Sequence, residues 1–492
     1  MNKLFLSSQV QDYEKAYFDQ GNLDKDLMLK AAEITAEYII KNTDNKKFIC
    51  ICGPGNNGGD GCYVGIYLSN KGFDVKIVEA LEAKTKSSLC MEAFNEAHSG
   101  DLVYQISILN NIDTDEVIVD AIFGTNLKGA LDQNMVDLIT IINSYKEIFS
   151  IDIPSGIHPD TGVPCEAYVE ANKTISFIGR KLGLSLNEGK ISSGEKHFHS
   201  LNLEMEKDIK EIAKSYQFID VKDLLIQRSP VSHKGNHGRL MVIGGDDNMG
   251  GAAILASETA LKSGSGLVSL LTQKIHLKAS LIRNPEVMAI DSDSHEELVA
   301  AMSNQDVFVC GPGLSSSSWS KSMLTKLINH LNKNMGAVVF DAGALRILAK
   351  DFLSTHNIKS SIVLTPHPGE AADLLGITIK EVQLDRINAA KKIATQYKAT
   401  VILKGAGSIV TDGSEVYICD EGGPELATGG TGDILAGLVG SLIAQGLSAN
   451  NASLLAVATH GLAGKEFKDI CGENGLAASE LIPLIRKILN NK

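Results

Sequence analysis

Short apolar segments that run directly into glycine-rich or polar loops constrain the fold of this chain more than any other feature. The first is Lys47–Cys52, which leads into the glycine-rich stretch 53–61 and then into a segment of helical length. A strand, a glycine-rich turn and a helix in succession open a βαβ unit. Because such segments recur along the chain with room for helices between them, the sequence predicts doubly wound parallel sheets covered by helices.

The positions of these segments divide the chain into two α/β halves. In the first half we predict two helices between residues 8 and 42 and strands at 47–52, 75–78, 117–119, 148–153, 174–178 and 197–201. In the second half we predict a helix at 252–262, a hairpin around 411–413 and strands at 240–243, 307–310, 338–340, 362–364 and 401–403. The charged segment between the halves, 202–232, is predicted to be helical. Since 492 residues are too many for one core, we predict domains 1–215 and 216–492.

Composition and charge exclude several classes of function. The net charge of −13 and a pI near 5.4 argue against general nucleic-acid binding, which needs a basic face. The apolar run at the start is too short for a signal peptide, and the longest predicted apolar helix, 434–448, is shorter than a membrane span. The eight cysteines lack metal-ligand spacing and are predicted to be buried, reduced thiols. We therefore expect a cytoplasmic protein that binds neither nucleic acid nor a membrane.

Three polar loops follow predicted strands of the first half, at 53–61, 120–126 and 152–156. Ligands bind at the C-terminal strand ends of open α/β sheets, so these loops are expected to bring Asp120, Asp152 and Ser155 near Asn57. Oxygen ligands of mixed charge suit a hard cation. Taken singly, each aspartate is equally well explained as a loop cap, and the first loop as a tight Asn-Gly turn.

A second glycine-rich stretch, 427–433, opens a predicted helix whose apolar residues recur at helical spacing from 434 to 443. Glycines allow a ligand to approach the backbone, and the free N–H groups of a helix start favour an anion. A carboxylate beside a bound phosphate is electrostatically unfavourable, which suggests a chemical role for Asp433. The alternative is a turn with an aspartate cap. Lys404 precedes two glycines and can meet a phosphate, and His367 lies between two prolines in a strand-end loop.

With both glycine-rich stretches in view, the chain resembles the bifunctional NAD(P)H-hydrate repair enzymes over nearly its whole length. In that family an N-terminal NAD(P)HX epimerase precedes a C-terminal ADP-dependent NAD(P)HX dehydratase. The epimerase motifs lie at 53–61, 120–125 and 152–156, and those of the dehydratase at 364–370, 404–405 and 429–433. The resemblance implies a Rossmann-like doubly wound parallel sheet followed by a ribokinase-like α/β domain. It further implies epimerisation of R- and S-NAD(P)HX and dehydration of S-NAD(P)HX to NAD(P)H, with ADP or ATP converted to AMP or ADP and phosphate.

The resemblance also implies the residues of the epimerase site. A potassium ion is expected at Asn57, Asp120 and Ser155. The nicotinamide hydrate (NADHX or NADPHX) is expected to contact Asn56, Asn57, Gly58, Gly59, Asp60, Gly124, Thr125, Asn126, Leu127, Lys128, Gly129, Ala130 and Asp152. Asp152 is the expected acid/base group, because epimerisation at C6 of the ring requires proton movement and a transient change in ring bonding.

For the dehydratase, the resemblance implies substrate contacts at Ala253, Gly313, His367 and Asp433. It implies that Mg²⁺ with ADP or ATP is bound at Lys404, Gly405, Ala406, Gly407, Ser408 and Gly432. Hydroxide is a poor leaving group. Asp433 is therefore expected to take the hydroxyl proton while the glycine-rich helix start stabilises the transferring phosphoryl group, so that phosphate leaves instead. A homo-oligomer is also expected.

Two positions depart from the family pattern. Gly343 stands where the family usually has an acidic residue, which calls dehydratase efficiency into question. Residues 28–32, Met-Leu-Lys-Ala-Ala, replace the more usual Met-Glu-x-Ala-Gly, a change expected to affect helix packing or dimer contacts.

Two other functions account for part of the sequence. A ribokinase-like kinase that phosphorylates an alcohol explains Asp433 and Lys404 but gives the first domain no role. A scaffold or ligand-sensing module explains the first domain but does not need a complete set of cation loops. Accumulation of a phosphorylated product indicates the kinase, whereas release of phosphate with regenerated NADH indicates the dehydratase.

Overall fold

The computed structural model of the chain describes residues 1–81, 86–110, 115–126, 129–291, 295–350 and 358–490. It divides into two compact units, Asn2–Lys214 and Ser215–Lys492. The division falls beside residue 215, where the charged segment of the sequence suggested a boundary.

The first unit begins with a short strand and two helices, which are β1 (Asn2–Leu4), α1 (Ser7–Asp19) and α2 (Asp24–Asn42). Strands and helices then follow in the order β2 (Lys47–Cys52), α3 (Asn56–Asn70), β3 (Asp74–Glu79), α4 (Ser88–Ser99), β4 (Val103–Tyr104), β5 (Val117–Ala121), α5 (Gln133–Ile142), β6 (Ile148–Ile151), β7 (Lys173–Phe177), α6 (Asn187–Ser192), β8 (Glu195–His199) and α7 (Met205–Asp208).

Strands β2 to β8 form a parallel sheet in the order β4-β3-β2-β5-β6-β7-β8. The chain moves outward from β2 on one side and from β5 on the other, so the direction of winding changes between these two strands. Ligands of doubly wound sheets bind outside the carboxyl ends of the strands at such a point. The loops that follow β2 and β5 contain the first two predicted site motifs.

The residues of β2 alternate between two apolar clusters, which confirms that the sheet is covered on both faces. Phe48, Cys50 and Cys52 pack with α2, α3 and α4, whereas Ile49 and Ile51 pack with α5 on the opposite face. Cys50 and Cys52 therefore share one face, as predicted, and both are buried free thiols. Burial raises the pKa of each thiol, so neither is a nucleophile in this setting.

Strand β9 (Ala213–Tyr216) spans the division, and α8 (Phe218–Val221) follows it. The second unit continues with β10 (Arg239–Ile243), α9 (Gly250–Lys262), β11 (Leu267–Thr272), α10 (Leu277–Arg283), β12 (Met288–Asp291), α11 (His295–Ser303), β13 (Val307–Cys310), α12 (Ser318–Leu331), β14 (Ala337–Phe340), α13 (Gly343–Lys350), β15 (Ser361–Leu364), α14 (Pro368–Leu375), α15 (Ile379–Leu384), α16 (Arg386–Tyr397), β16 (Thr400–Leu403), β17 (Ser408–Thr411), β18 (Val416–Cys419), α17 (Thr431–Ala444), α18 (Ala449–Cys471) and α19 (Leu481–Asn490).

Strands β10 to β18 pair in the order β12-β11-β10-β13-β14-β15-β16-β17-β18. Pairing is parallel from β12 to β16, and β17 and β18 add the antiparallel hairpin predicted around 411–413. The winding changes direction between β10 and β13. Helices α9, α17, α18 and α19 cover one face of this sheet with an apolar cluster that includes Leu240, Val309, Ile434 and Leu438.

Several predictions about local structure are wrong in detail. The segment 202–232 is not one helical stretch, because burial of Ala213 and Tyr216 in β9 outweighs the helix propensity of the charged residues beside them. Strands β1, β4, β11 and β12 were not predicted either, although β11 is an apolar run like the predicted strands. The apolar helix predicted at 434–448 is α17, which ends at Ala444. In the described part of the chain, no helix is long and apolar enough to cross a membrane.

Candidate functional sites

A cavity of about 430 Å³ lies in the first unit, at the carboxyl ends of β2, β5 and β6. It is lined by residues from the loop after β2 and the start of α3, from the loop after β5, and from α1 and α2. Of the predicted substrate contacts, those that line it are Asn56, Asn57, Asp60, Gly124, Thr125, Asn126 and Asp152. The strand-end loops therefore do converge on one concave site.

The remaining predicted contacts of this site lie elsewhere or cannot be described. Gly58 and Gly59 are buried in α3, where a Cβ on Gly58 would be 1.8 Å from the carbonyl oxygen of Gly53. Their role here is close packing, which requires glycine. Gly129 and Ala130 are described but do not line the cavity, and Leu127 and Lys128 lie outside the described residues.

Asp120, at the end of β5, is fully buried, and its carboxylate accepts several hydrogen bonds. Ser155 donates its Oγ hydrogen to Oδ1 at 2.6 Å and its backbone N–H to Oδ2 at 2.9 Å, and Ser150 Oγ donates to Oδ2 at 2.8 Å. Burial raises the pKa of Asp120 above its ordinary value, although these bonds oppose the shift. Asp120 and Ser155, two of the three predicted cation ligands, are therefore in direct contact.

The third predicted ligand, Asn57, carries an unexplained polar atom. Its Nδ2 is buried and has no hydrogen-bond partner among the described residues. Because the two ends of an amide are interchangeable by a flip of the side chain, an unpartnered oxygen can equally occupy this position. An oxygen there, with Asp120 and Ser155 oxygens in the same strand-end region, is the donor set that a hard monovalent or divalent cation prefers. The residues fit a cation.

Asp152 follows β6 with its backbone in the left-handed region, at a φ of 68°. This conformation is uncommon for residues other than glycine, and such strain clusters at active sites. The Asp152 carboxylate forms an ion pair with Lys181, whose Nζ also donates to the carbonyl oxygen of Phe177 at 2.8 Å. Lys181 is 3% exposed, so the pair is largely shielded from water.

Three further carboxyl groups line the same cavity, those of Glu14, Asp24 and Asp60. Burial raises the pKa of Glu14 to about 7, with Lys181 opposing and Asp152 reinforcing the shift. Burial also raises the pKa of Asp60 well above its usual range, and the charges of Asp152 and Glu14 add to that shift. The site thus combines one ion-paired carboxylate with two that are protonated more readily. Acid and base roles are commonly divided in this way.

The second unit carries a separate constellation around the start of α17. Thr431, the first helical residue, donates its Oγ1 hydrogen to the carbonyl oxygens of Leu426 and Thr428 at 3.1 and 3.0 Å. His460 Nε2 contacts the Thr431 carbonyl oxygen at 3.1 Å, and burial lowers the pKa of this histidine to about 4. The neutral imidazole can therefore donate to that carbonyl. These bonds hold the glycine-rich turn in place and leave the first N–H groups of α17 available for an anion.

Asp433, in the first turn of α17, belongs to a cluster of three carboxyl groups and one lysine. Lys404 Nζ lies 2.9 Å from Asp341 Oδ1 and 4.0 Å from Glu370 Oε2. Burial and the nearby charge of Asp341 raise the pKa of Asp433 to about 7, while Lys404 opposes the shift. Since Lys404 is already paired with Asp341, Asp433 is the carboxyl group best able to accept a proton near neutral pH.

The amino group of Lys404 lies close to Gly432. A Cβ on Gly432 would be 3.3 Å from Lys404 Nζ and 4.0 Å from Asp341 Oδ2. A side chain at this position would fill the space between the lysine and the helix start. The glycine therefore keeps room for a ligand at the point where Lys404 and the α17 N–H groups meet.

His367 has a more ordinary role than its position between two prolines suggested. Its Nδ1 accepts hydrogen bonds from the backbone N–H groups of Gly369 and Glu370 at 3.0 and 3.3 Å, which makes it the N-cap of α14. Its Nε2 lies 3.1 Å from Glu370 Oε1. His367 thereby helps to fix Glu370 beside Lys404, and its ring remains partly exposed for a ligand.

The other predicted substrate contacts, Ala253 and Gly313, lie at the change of winding between β10 and β13. A Cβ on Gly313 would be 2.3 Å from the carbonyl oxygen of Met249, and Ala253 is fully buried in α9. Asp246, in the same region, accepts hydrogen bonds from Ser315, Ser317 and Ser320. Although burial opposes it, these bonds lower the pKa of Asp246 to about 2, so a stable anion anchors the loop after β13.

Gly343 proves to be suited to its surroundings. A Cβ at this position would lie 2.1 Å from the carbonyl oxygen of Leu314. The backbone after β14 therefore approaches the loop after β13 too closely for any side chain. Asp341 and Glu370 supply carboxylates to the cluster around Lys404.

Arg386 holds the predicted nucleotide loop, 404–408, from behind. It is 2% exposed, and its guanidinium donates to the carbonyl oxygens of Ala406, Leu403 (3.4 Å) and Lys404 (3.3 Å).

We predict that Arg386→Met raises the nucleotide KM and lowers the free energy of unfolding by about 1–3 kcal/mol, because buried carbonyls lose their donor. Steady-state kinetics and urea unfolding measure the two effects. Lys392→Met, at an exposed position of the same helix, is the control, and equal behaviour of the two variants would contradict the assignment.

The motifs identified most of the groups at both sites but missed several charged partners. Lys181 and Asp341 come after the ends of β7 and β14, and Arg386 begins α16. None of these three residues was given a role from the sequence. Glu370 lies within a recognised motif but was given no role. Glu14 lies on a helix with no local signal, because nothing in the sequence of α1 indicates which of its faces meets the cavity.

Comparisons with known proteins agree with this division of sites. Residues 24–183 match the family described as YjeF-related protein N-terminus, and residues 240–487 match the family described as NAD(P)H-hydrate dehydratase. A bifunctional NAD(P)H-hydrate repair enzyme of Coxiella burnetii is 33% identical over 497 residues, covering 100% of both chains. Another, from Escherichia coli, is 35% identical and covers 94% of this chain and 89% of its own. A crystal structure of the ADP/ATP-dependent NAD(P)H-hydrate dehydratase of Bacillus subtilis, co-crystallised with ATP and Mg²⁺, is 27% identical with a TM-score of 0.51, covering 56% of this chain and 98% of its own.

Proposed function

Because the chain belongs to the family of bifunctional NAD(P)H-hydrate repair enzymes, we propose that its two sites divide the two reactions between them. The first unit epimerises R- and S-NAD(P)HX, and the second dehydrates S-NAD(P)HX to NAD(P)H at the expense of ADP or ATP. The observation that supports this proposal is the presence of two chemically different charged clusters in one chain. One surrounds Asp152 and Lys181, and the other surrounds Asp433 and Lys404.

The dehydratase site supports a phosphoryl transfer followed by elimination. The oxygen of the C6 hydroxyl attacks the terminal phosphorus of the nucleotide, and Asp433 accepts the proton of that hydroxyl. The N–H groups at the start of α17 and Lys404 stabilise charge on the phosphoryl oxygens. Phosphate then leaves C6 with its bonding electrons, assisted by the lone pair of the ring nitrogen. C5 gives up a proton, and the C5–C6 double bond of the nicotinamide forms. The nucleotide leaves as AMP or ADP.

The epimerase site supports reversible opening of the hydrated ring. A hydroxyl group on C6, which is bonded to the ring nitrogen, makes a carbinolamine, and this can open to an aldehyde and reclose on either face. Opening requires a group that accepts the hydroxyl proton. Asp152 faces the cavity, and its position beside Lys181 stabilises the carboxylate that must act as base.

Two ions complete the proposal. Potassium at Asn57, Asp120 and Ser155 supplies a fixed positive charge beneath the epimerase cavity, in keeping with the unpartnered amide atom of Asn57. Magnesium accompanies the nucleotide in the second unit, where Lys404 to Ser408 and Gly432 form the nucleotide site. Asp341 and Glu370, the carboxylates beside Lys404, would be the oxygen ligands offered to that ion or to its water molecules. A cytoplasmic location and assembly into a homo-oligomer remain predictions from the sequence.

We expect the intact protein to recover NADH completely from a mixture of R- and S-NADHX when ADP or ATP is present. NADH absorbance and free phosphate are followed together, and both are expected to rise in equal amounts. Recovery of only the S epimer would remove the epimerase assignment. A stable phosphorylated product without NADH would instead favour the ribokinase-like kinase.

A further inference from the structure

Helix α1 forms a wall of the cavity in the first unit, although it precedes the region matched by the family. Val10, Glu14 and Phe18 line the cavity at spacings of four residues. Side chains four residues apart lie on the same face of a helix, so α1 directs one continuous stripe toward the cavity. Glu14 is the central residue of that stripe and its only charged member.

Helix α1 is fixed in this position by contacts along its length. Gln11 Nε2 donates to Thr125 Oγ1 and to Asn126 Oδ1, both at 3.1 Å, which ties the helix to the loop after β5. Ser7 donates its backbone N–H to Asp160 at 2.6 Å and its Oγ hydrogen to the same carboxylate at 3.1 Å. The helix that carries Glu14 is therefore joined to the predicted substrate loop rather than free at the chain terminus.

The Glu14 carboxyl makes no hydrogen bond or ion pair with the residues that the structure describes, whereas Asp152 is paired with Lys181. An unpaired carboxyl facing a cavity is available to a ligand. The ionisable side chains that line the cavity beside it are Asp24, Asp60, Asp152 and Lys181. Among the described residues that line the cavity, one lysine faces four carboxyl groups, so at least one of these carboxyl groups gains by holding a proton near neutral pH.

We propose that Glu14 is the acid that works with Asp152 in epimerisation, an inference that rests on the epimerase function proposed for this cavity. Asp152 takes the proton of the C6 hydroxyl as the C6–N1 bond breaks and the C6 carbonyl forms. The electron pair of the broken bond goes to N1, which takes the proton of Glu14. Rotation about C5–C6 presents the other face of the aldehyde, and the same steps in reverse close the ring with inverted configuration. Atoms and electrons balance without a co-reactant.

The pKa of Glu14, raised by burial to about 7, suits this role near neutral pH. Since the acid must be protonated, kcat/KM for epimerisation is expected to fall as the pH rises through about 7. A purely structural contribution of Glu14 to packing would not produce this dependence.

The test uses the intact chain and pure R-NADHX without nucleotide, with formation of the S epimer followed by chromatography over a range of pH. We expect Glu14→Gln to lower kcat by about 100-fold or more and to remove the loss of activity above pH 7. Asp12→Asn, at an exposed position of the same helix, should match the unaltered chain. Dehydration of S-NADHX and the unfolding midpoint should be unchanged in both variants, which controls for folding.

The outcomes separate the inference from the function on which it rests. If the unaltered chain epimerises no faster than buffer, the epimerase assignment is wrong. If it epimerises and Glu14→Gln keeps the same rate and pH profile, Glu14 is not the acid. A rate loss with an unchanged pH profile would also overturn the proposal, because the titrating group would then be another carboxyl such as Asp60.

Discussion

Replacing Asp433 by asparagine is expected to abolish dehydration of S-NADHX while epimerisation of R-NADHX continues at its normal rate. Asparagine keeps the size of the side chain but cannot accept the hydroxyl proton, and removal of a positioned general base typically costs about 10²–10⁴ in rate. Phosphate release and NADH absorbance measure the first reaction, and chromatography of the two epimers measures the second. Loss of both reactions would indicate misfolding rather than a local defect.

The pH dependence of dehydration provides a second view of Asp433. Its pKa is raised to about 7 by burial and by Asp341, so the basic form is lost as the pH falls below that value. We therefore expect kcat/KM in the unaltered chain to fall about tenfold per pH unit on the acid side of 7. The residual activity of Asp433→Asn should not show this fall in kcat/KM below pH 7. If kcat/KM of Asp433→Asn falls below pH 7 as it does in the unaltered chain, the titrating group is another residue.

Replacing Asp152 by asparagine is expected to have the converse effect, with epimerisation lost by about 10²–10⁴ and dehydration of the pure S epimer retained. The substitution also leaves Lys181 buried without its carboxylate. Breaking a buried ion pair by removing one partner costs about 3–5 kcal/mol when the remaining charge is shielded from water. Chemical denaturation of the intact chain should therefore show a weakened transition.

A companion variant separates catalysis from stability at this site. Asp160 is another carboxylate of the first unit, which accepts hydrogen bonds from Ser7 at the start of α1 and lies outside the cavity lining. Asp160→Asn should weaken the attachment of α1 with a smaller effect on rate. Equal rate losses for Asp152→Asn and Asp160→Asn would show that the loss reflects altered folding of the first unit.

The two reactions are thus expected to fail independently, as the two sites lie on separate sheets. Each sheet has its own change of winding, between β2 and β5 in the first and between β10 and β13 in the second. Each site has one lysine that is already paired with a carboxylate, Lys181 with Asp152 and Lys404 with Asp341. In the second site, burial and the charge of Asp341 raise the pKa of the neighbouring Asp433 to about 7.

Much of the fold could be predicted because its signals are local. Apolar runs such as Val307–Cys310 end in glycine or polar loops, and this pattern predicts parallel strands wherever it occurs. The prediction failed at β9, where Ala213 and Tyr216 are buried by contacts distant in sequence. At Gly343 the structure adds a packing reason for glycine, because the loop after β13 passes too close for any side chain. Packing between residues that are distant in sequence produces no local residue pattern, so it could not be predicted.

The sequence by itself predicted the two α/β halves and the strand-end and helix-start loops that contain Asp152 and Asp433. It could do so because glycine spacing and strand patterns depend on neighbouring residues. Only the tertiary structure decided which charges meet. It pairs Asp152 with Lys181, sets Arg386 behind the loop 404–408 and directs Glu14 into the cavity. The strength of a proton donor or acceptor depends on burial and on charges within a few ångströms, and these distances exist only after the chain has folded.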